Sequence, residues 1–230
     1  MREIVLDTET TGLDPETGDR IVEIGAVELN GHVPTGKTYH QYINPERAMP
    51  KGAFEVHGLG DEFLSDKPVF KSIAQEFVDF IGDAQLVIHN AAFDMKFINA
   101  ELSWIGQAQI DWERAVDTLA IARKKFPGSP ASLDALCRRY GIDTSARTLH
   151  GALLDSEILA AVYLELIGGR QPDFGLATAA ESQSAPGAEK TKKPAQRPKP
   201  LPALLTDEEK AAHDAFVSTL GETALWTRLS

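Results

Sequence analysis

Residues 4–10 read IVLDTET. Ile4, Val5 and Leu6 have the apolar, partly β-branched character of a buried strand, and two acids follow at once with one threonine between them. Side chains two apart on a strand point the same way, so Asp7 and Glu9 stand side by side where the strand leaves the core. At about 4 Å two like charges repel by about 1 kcal/mol in water and about 4 kcal/mol at an intermediate effective dielectric. A fold that keeps such a pair at a strand end must bring something positive to it.

The chain around this strand reads as alternating sheet and helix. Residues 3–8, 20–29 (RIVEIGAVEL) and 38–43 (TYHQYI) have strand character, and the short turn-rich connections TGLDPETGD and NGHVPTG favour an antiparallel meander. Residues 44–67, rich in glycine and proline, are expected to be irregular. Pro68 is placed to open a helix that carries Phe70, Ile73, Ala74, Phe77, Val78 and Ile81 on one face and stops at Gly82. QLVIHN predicts a short buried strand leading into a helix over AAFDMKFINAELSWIG, and further helices are expected near 117–125, 132–140 and 152–167. Asp117, before an apolar helical pattern, reads as a helix cap. The sum is an α/β layered domain over residues 1–170.

Beyond it the composition shifts. Residues 171–200 supply small, polar, charged and proline residues but almost nothing for a core, and predict a disordered, flexible linker. Order is expected to return in a C-terminal segment, 201–230, where Thr206 and Glu209 form a capping box and Gly221 a stop. A lone helix of that length is marginal in water, so Phe216, Leu220, Leu225 and Trp226 call for a partner to bury them.

The totals exclude several classes. One cysteine, Cys137 in LDALCRRY, rules out an internal disulfide framework and reads as a buried helical thiol. No signal-like N-terminus and no membrane-length apolar run are seen, so a cytoplasmic protein with no membrane partner is expected. The formal charge of −11 is unlike that of a protein holding nucleic acid by its own phosphate contacts. A polyanionic substrate would have to be met by metal ions, local contacts or a tether.

Two further acidic signals stand at element ends. HNAAFD places Asp94 near the start of a helix that follows a strand, and HGALLD places His150 before a helix and Asp155 inside it. Singly, each has an ordinary explanation: first-turn acids suit the helix dipole, and His89 or His150 can be core or loop histidines. Together, four carboxylates converging on one sheet edge repel unless they bind cations. Hard oxygen donors favour Mg²⁺ or Mn²⁺, and two such ions nearly neutralise four carboxylates. An ion pair of this kind suits in-line displacement at phosphorus, with a histidine at the mouth accepting a water's proton. His150 is the candidate base; His89, at a strand terminus, fits a structural hydrogen bond better.

DTET, HNAAFD and HGALLD resemble the three motifs of the DEDDh exonuclease family. Their order, with VHGL and SLDALCRRYGID between them, is similar to that of the proofreading subunits of bacterial replicative polymerases. A tyrosine in the last motif would mark the sister family; His150 stands there instead. The resemblance implies a ribonuclease H-like fold, a mixed five-stranded sheet flanked by helices. It implies Asp7, Glu9, Asp94 and Asp155 as the acids holding two Mg²⁺ or Mn²⁺ ions, and His150 as general base. The substrate implied is the 3′ end of a DNA strand, cut to release 5′-monophosphates, with Asp7, Glu9 and Asp155 also touching it. Matching positions put Thr10, Leu13 and His57 in the pocket for the terminal nucleotide. QPDFGL, through Gln171, Phe174 and Leu176, resembles an imperfect sliding-clamp motif, and the C-terminal segment a tail that binds the polymerase alpha subunit. An RNA-trimming exonuclease and a mainly structural bridge between polymerase and clamp are the alternatives.

Overall fold

The computed structural model describes residues 1–145, 149–169 and 206–220. The chain divides into two compact units, Met1–Phe174 and Gly175–Ser230.

The first unit is built on five strands, β1 (Arg2–Thr10), β2 (Ile21–Asn30), β3 (Val33–Tyr42), β4 (Gln85–Ile88) and β5 (Ala115–Asp117), in the order β3-β2-β1-β4-β5. The expected meander forms: β1 with β2 and β2 with β3 are antiparallel. β4 and β5 then add parallel strands on the other side of β1, which makes the sheet mixed. β1 is thus the central strand and its carboxyl end lies beside that of β4, the edge where α/β sheets keep their sites.

Both faces of β1 are covered, which explains its unbroken apolar start. Ile4 and Leu6 pack with helices α3 (Phe70–Ile81) and α4 (Ala91–Trp104) through Phe70, Phe77, Phe97 and Ile98. Val5, on the opposite face, meets Leu159 and Tyr163 of α7 (Ala152–Leu166). A third cluster joins α5 (Thr118–Lys125) and α6 (Leu133–Tyr140) to α7 and contains Cys137, buried as expected.

Two expectations need correction. Residues 44–67 are not irregular throughout, since α1 (Lys51–His57) and α2 (Asp61–Leu64) form there. Neither has a side-chain N-cap, and Gly52 sits inside α1, so the start and periodicity signals that reveal longer helices are missing. Pro68 does not open α3; Val69 is its N-terminal cap residue, while Gly82 closes it as expected.

In the second unit, α8 (Asp207–Thr219) begins with the expected capping box between Thr206 and Glu209. None of its residues is buried, and Phe216 is 63% exposed. Gly221, Leu225 and Trp226 lie outside the described residues, as do the expected linker, 171–200, and the clamp-like residues Gln171, Phe174 and Leu176. Among the described residues no helix is long and apolar enough to cross a membrane.

Candidate active site

The alternation that packs β1 also aims its acids. Asp7 and Glu9 continue the row of Val5 toward α7, whereas Thr8 continues the row of Leu6 toward α4. On the α4 side, the Thr8 hydroxyl donates to Asp94 Oδ1 at 2.7 Å and draws the buried first-turn acid of that helix to the strand end. On the α7 side stands Asp155, in the first turn and 3% exposed.

Gly25 sets how close α7 comes. It pairs with Asp7 across the β1–β2 ladder. A Cβ at Gly25 would lie 2.1 Å from the Ala152 carbonyl carbon and the Leu153 nitrogen, so the start of α7 rests directly on strand backbone. Ser156 fixes the seat by donating its hydroxyl to the Gly25 carbonyl at 2.9 Å. Next along, Glu9 pairs with Glu23 and Thr10 with Ile21, a bulge that bends β2 at the site.

Asp7, Glu9, Asp94, Asp155 and His150 all line one cleft of about 660 Å³. Desolvation there pushes the Asp7 carboxyl well above the usual carboxylate range, and the neighbouring charges of Asp94, Glu9, Asp155 and Glu23 push it further. Burial raises Asp94 to about 7 despite the opposing Thr8 hydrogen bond. The Asp7 shift, to which four neighbouring carboxylates contribute after burial, says that the bare cluster holds negative charge its surroundings do not fully compensate. Glu23 is itself paired, with its Oε1 2.7 Å from His40 Nε2. One ligand atom each from Glu9, His150 and Asp155 lie within 4.8 Å of one another. A set dominated by carboxylate oxygen and lacking thiolate fits a hard divalent cation.

His150 stands half exposed at the cleft, its Nδ1 3.3 Å from Asp155 Oδ2. Helix α1 supports it: the His150 amide donates to the Val56 carbonyl at 3.2 Å, and Leu149 fills the space above Gly58, where a Cβ would come 2.7 Å from Leu149 Cδ1. His57 ends that helix, buried, accepting the Leu59 amide at Nδ1 (3.0 Å). Burial lowers its pKa. Thr10 donates to the Gly12 carbonyl at 2.6 Å, and Leu13 is 84% exposed. Thr10, Leu13 and His57 are not part of the cleft wall that the acids form.

His89 is bonded through Nδ1 to Thr118 Oγ1 at 2.9 Å, a structural tie between β4 and α5. Asp117 caps α5 as expected, accepting the Leu119 amide at 2.9 Å, and also accepts the Asn90 amide at 3.1 Å. Asn90 sits at the left-handed φ of +67 before α4, a conformation that asparagine tolerates, so Asp117 anchors the helix that carries Asp94. Sequence reasoning did not single out Thr8, Gly25, Glu23, Asn90 or Ser156. Gly25 alone carried a readable signal, an isolated glycine within an apolar strand, which often marks close backbone approach.

The exonuclease family (RNase_T) profile matches residues 4–163. The chain is 49% identical to DNA polymerase III subunit epsilon of Rickettsia felis, over 97% of this chain and 99% of that protein. It is 47% identical to the subunit of the same name from Escherichia coli K12, over 98% and 97%. Among solved structures, the nuclease domain of 3'hExo, a DEDDh family member bound to rAMP, superposes with a TM-score of 0.63 at 21% identity, covering 74% of this chain and 94% of that one. Exonuclease X in complex with 5′ overhanging duplex DNA gives 0.58 at 24% identity, covering 72% and 90%. Both superpositions show a shared fold, the ribonuclease H-like mixed sheet flanked by helices. The convergence of the three acidic motifs and the near full-length match to these relatives agree: the chain belongs to the exonuclease family, in the branch of the DNA polymerase III epsilon subunits.

Proposed function

We propose that the protein removes nucleotides one at a time from the 3′ end of DNA, as 5′-monophosphates, and thereby proofreads for the replicative polymerase. The observation that carries this reading is the meeting of Asp7, Glu9, Asp94 and Asp155, from three distant segments, in one cleft. We assign these four as the ligands of two divalent cations, Mg²⁺ or Mn²⁺. When bound, such ions supply the positive charge that lowers the pKa of a water and stabilises the departing oxygen.

The protein's own groups do the rest. His150, half exposed beside Asp155, takes the proton of the attacking water, and Asp155 orients its ring through Nδ1. Thr8 holds the Asp94 carboxylate by one oxygen and so fixes its direction. Gly25 and Ser156 hold the start of α7 at the strand, keeping Asp155 in register with Asp7. For the terminal nucleotide we assign Thr10, Leu13 and His57. Leu13 offers an exposed apolar surface for a base, and His57, buried at the end of α1, has its pKa lowered by that burial, which favours the neutral ring.

The partners follow from the second unit and the acidic balance. A nuclease with net charge −11 acts best where a partner delivers the frayed end, and a tether raises effective concentration. An α8 with no buried residue and exposed Phe216 and Leu220 suits docking on the polymerase alpha subunit. Residues 171–176 are proposed to bind the sliding clamp. The deciding experiment uses end-labelled DNA, with and without a terminal mismatch, and a matched RNA. Mononucleotide release from the DNA 3′ end, lost in Asp7→Ala, is the expected result; release from RNA alone would replace the proposal with an RNA-trimming one.

A further inference from the structure

The cleft is not acidic throughout. Arg123, at the end of α5, lies in its wall together with Ser129 and Ser132. The segment that carries these serines also borders a second groove, of about 390 Å³, lined by Pro130, Ala135, Arg138 and Arg139. Ser129, Ala131 and Ser132 face the cleft while Pro130 and Ala135 face the groove, so one ridge separates two concavities, and each has arginine on its wall.

Basic residues close both helices, Arg123, Lys124 and Lys125 on α5 and Arg138 and Arg139 on α6. Cations in a last turn complement the helix dipole, and that would suffice if all were used structurally. Two are. Lys125 Nζ donates to the carbonyls of Glu165 and Leu166 at 3.0 and 2.8 Å, and the Arg139 guanidinium lies 4.2 Å from the centre of the Phe126 ring. Arg123, Lys124 and Arg138 are exposed and make no hydrogen bond or ion pair among the described residues. In a chain of formal charge −11, arginines on the walls of both concavities, Arg123 in the cleft and Arg138 and Arg139 in the groove, are a local exception.

We infer that Arg123, Arg138 and Arg139 form a track for the phosphodiester backbone of the single DNA strand upstream of its 3′ end, an inference that rests on the exonuclease reading above. Guanidinium groups match phosphate with paired N–H donors, and the Ser129 and Ser132 hydroxyls add neutral donors. Stacking on Phe126 restrains Arg139 in advance, which lowers the entropy lost on binding. Phosphate recognition of this kind carries no sequence information, which suits an enzyme that must accept any primer.

The test uses the full chain and oligothymidylates of increasing length, beginning with a dinucleotide. For the parent, KM should fall as the strand grows long enough to reach the groove. In Arg138→Ala, and more strongly in Arg138→Glu, that length dependence should flatten while kcat at saturating long strand persists. The slope of log KM against log salt should become shallower by about 0.7 for each phosphate that the variant no longer neutralises. Equal length dependence and salt slope in parent and variants would overturn the track. So would a variant that loses the dinucleotide and long-strand activities in equal proportion, because an arginine upstream of the cleft acts only where upstream strand exists. Failure of the parent to cut any of the oligomers would instead sink the exonuclease reading.

Discussion

Asp7 sits desolvated among other acids, so its charge weakens the metal-free protein, whereas in the proposed function the same charge holds a cation. Asp7→Asn should therefore melt no lower than the parent in EDTA, and higher if the charge alone is removed, yet hydrolyse DNA at least about a hundredfold more slowly. Thermal melting and a gel assay on the same preparations check both halves. The pH dependence has a definite sign. Asp94 at about 7, against 3.8 when unperturbed, and Asp7, raised well above 3.8, keep protons in the folded state that the unfolded chain has already released. The contribution of each is complete below 3.8; that of Asp94 is lost as pH rises through about 7, and that of Asp7 as pH rises through its own elevated pKa. In EDTA the melting temperature should fall between about pH 5 and 8, and the fall should shrink in Asp94→Asn. Asp7 and Glu9 were legible in the sequence because charge at the end of an apolar strand is anomalous, while Asp94 and Asp155, ordinary as single first-turn acids, were legible only through the motifs they complete. Thr8 and Ser156 were not, since a hydroxyl that aims a carboxylate or seats a helix is indistinguishable by type from a solvated one.

At the scale of elements, the packing of α7 on β2 sets the geometry of the site. Gly25→Ala would force a methyl into the Ala152 and Leu153 backbone, which cannot move as a flexible side chain does. A cost of about 1–3 kcal/mol in stability is expected, together with a loss of kcat well beyond that expected from unfolding, because Asp155 and His150 shift with the helix. Denaturant unfolding and single-turnover kinetics separate the two effects. The long helices and the meander were readable from periodicity: Phe70, Ile73, Ala74, Phe77 and Ile81 are buried in α3 as their spacing required. α1 was not readable, for it is seven residues long, has a glycine inside and lacks a side-chain cap. Its existence is fixed by tertiary contacts instead, notably the Val56 carbonyl that receives the His150 amide. β5, three residues in length, escaped for the same reason, its pairing with β4 being what makes it a strand.

For the whole molecule, the chain divides into a unit ending at Phe174 and another beginning at Gly175, and the proposed function assigns chemistry to the first and tethering to the second. Truncation after residue 200 should leave hydrolysis of a free oligonucleotide within about twofold of the parent while abolishing co-purification with the polymerase subunit; size-exclusion chromatography with a parallel exonuclease assay measures both. Capping-box residues made α8 legible from sequence, whereas its pattern does not say what meets the exposed Phe216. The sheet order likewise follows from local turns only as far as β3; that β4 joins β1 in parallel is a long-range choice, and it is this choice that brings Asp94 beside Asp7. All of these scales meet in the claim that divalent cations reconcile the four acids. Calorimetric titration of Mn²⁺ into the metal-free full chain, set beside Asp7→Asn and Asp155→Asn, tests it most directly. Saturable binding by the parent, at least about tenfold weaker in each variant, is the expected result. Equal affinity in all three proteins, or no binding by the parent, would contradict it.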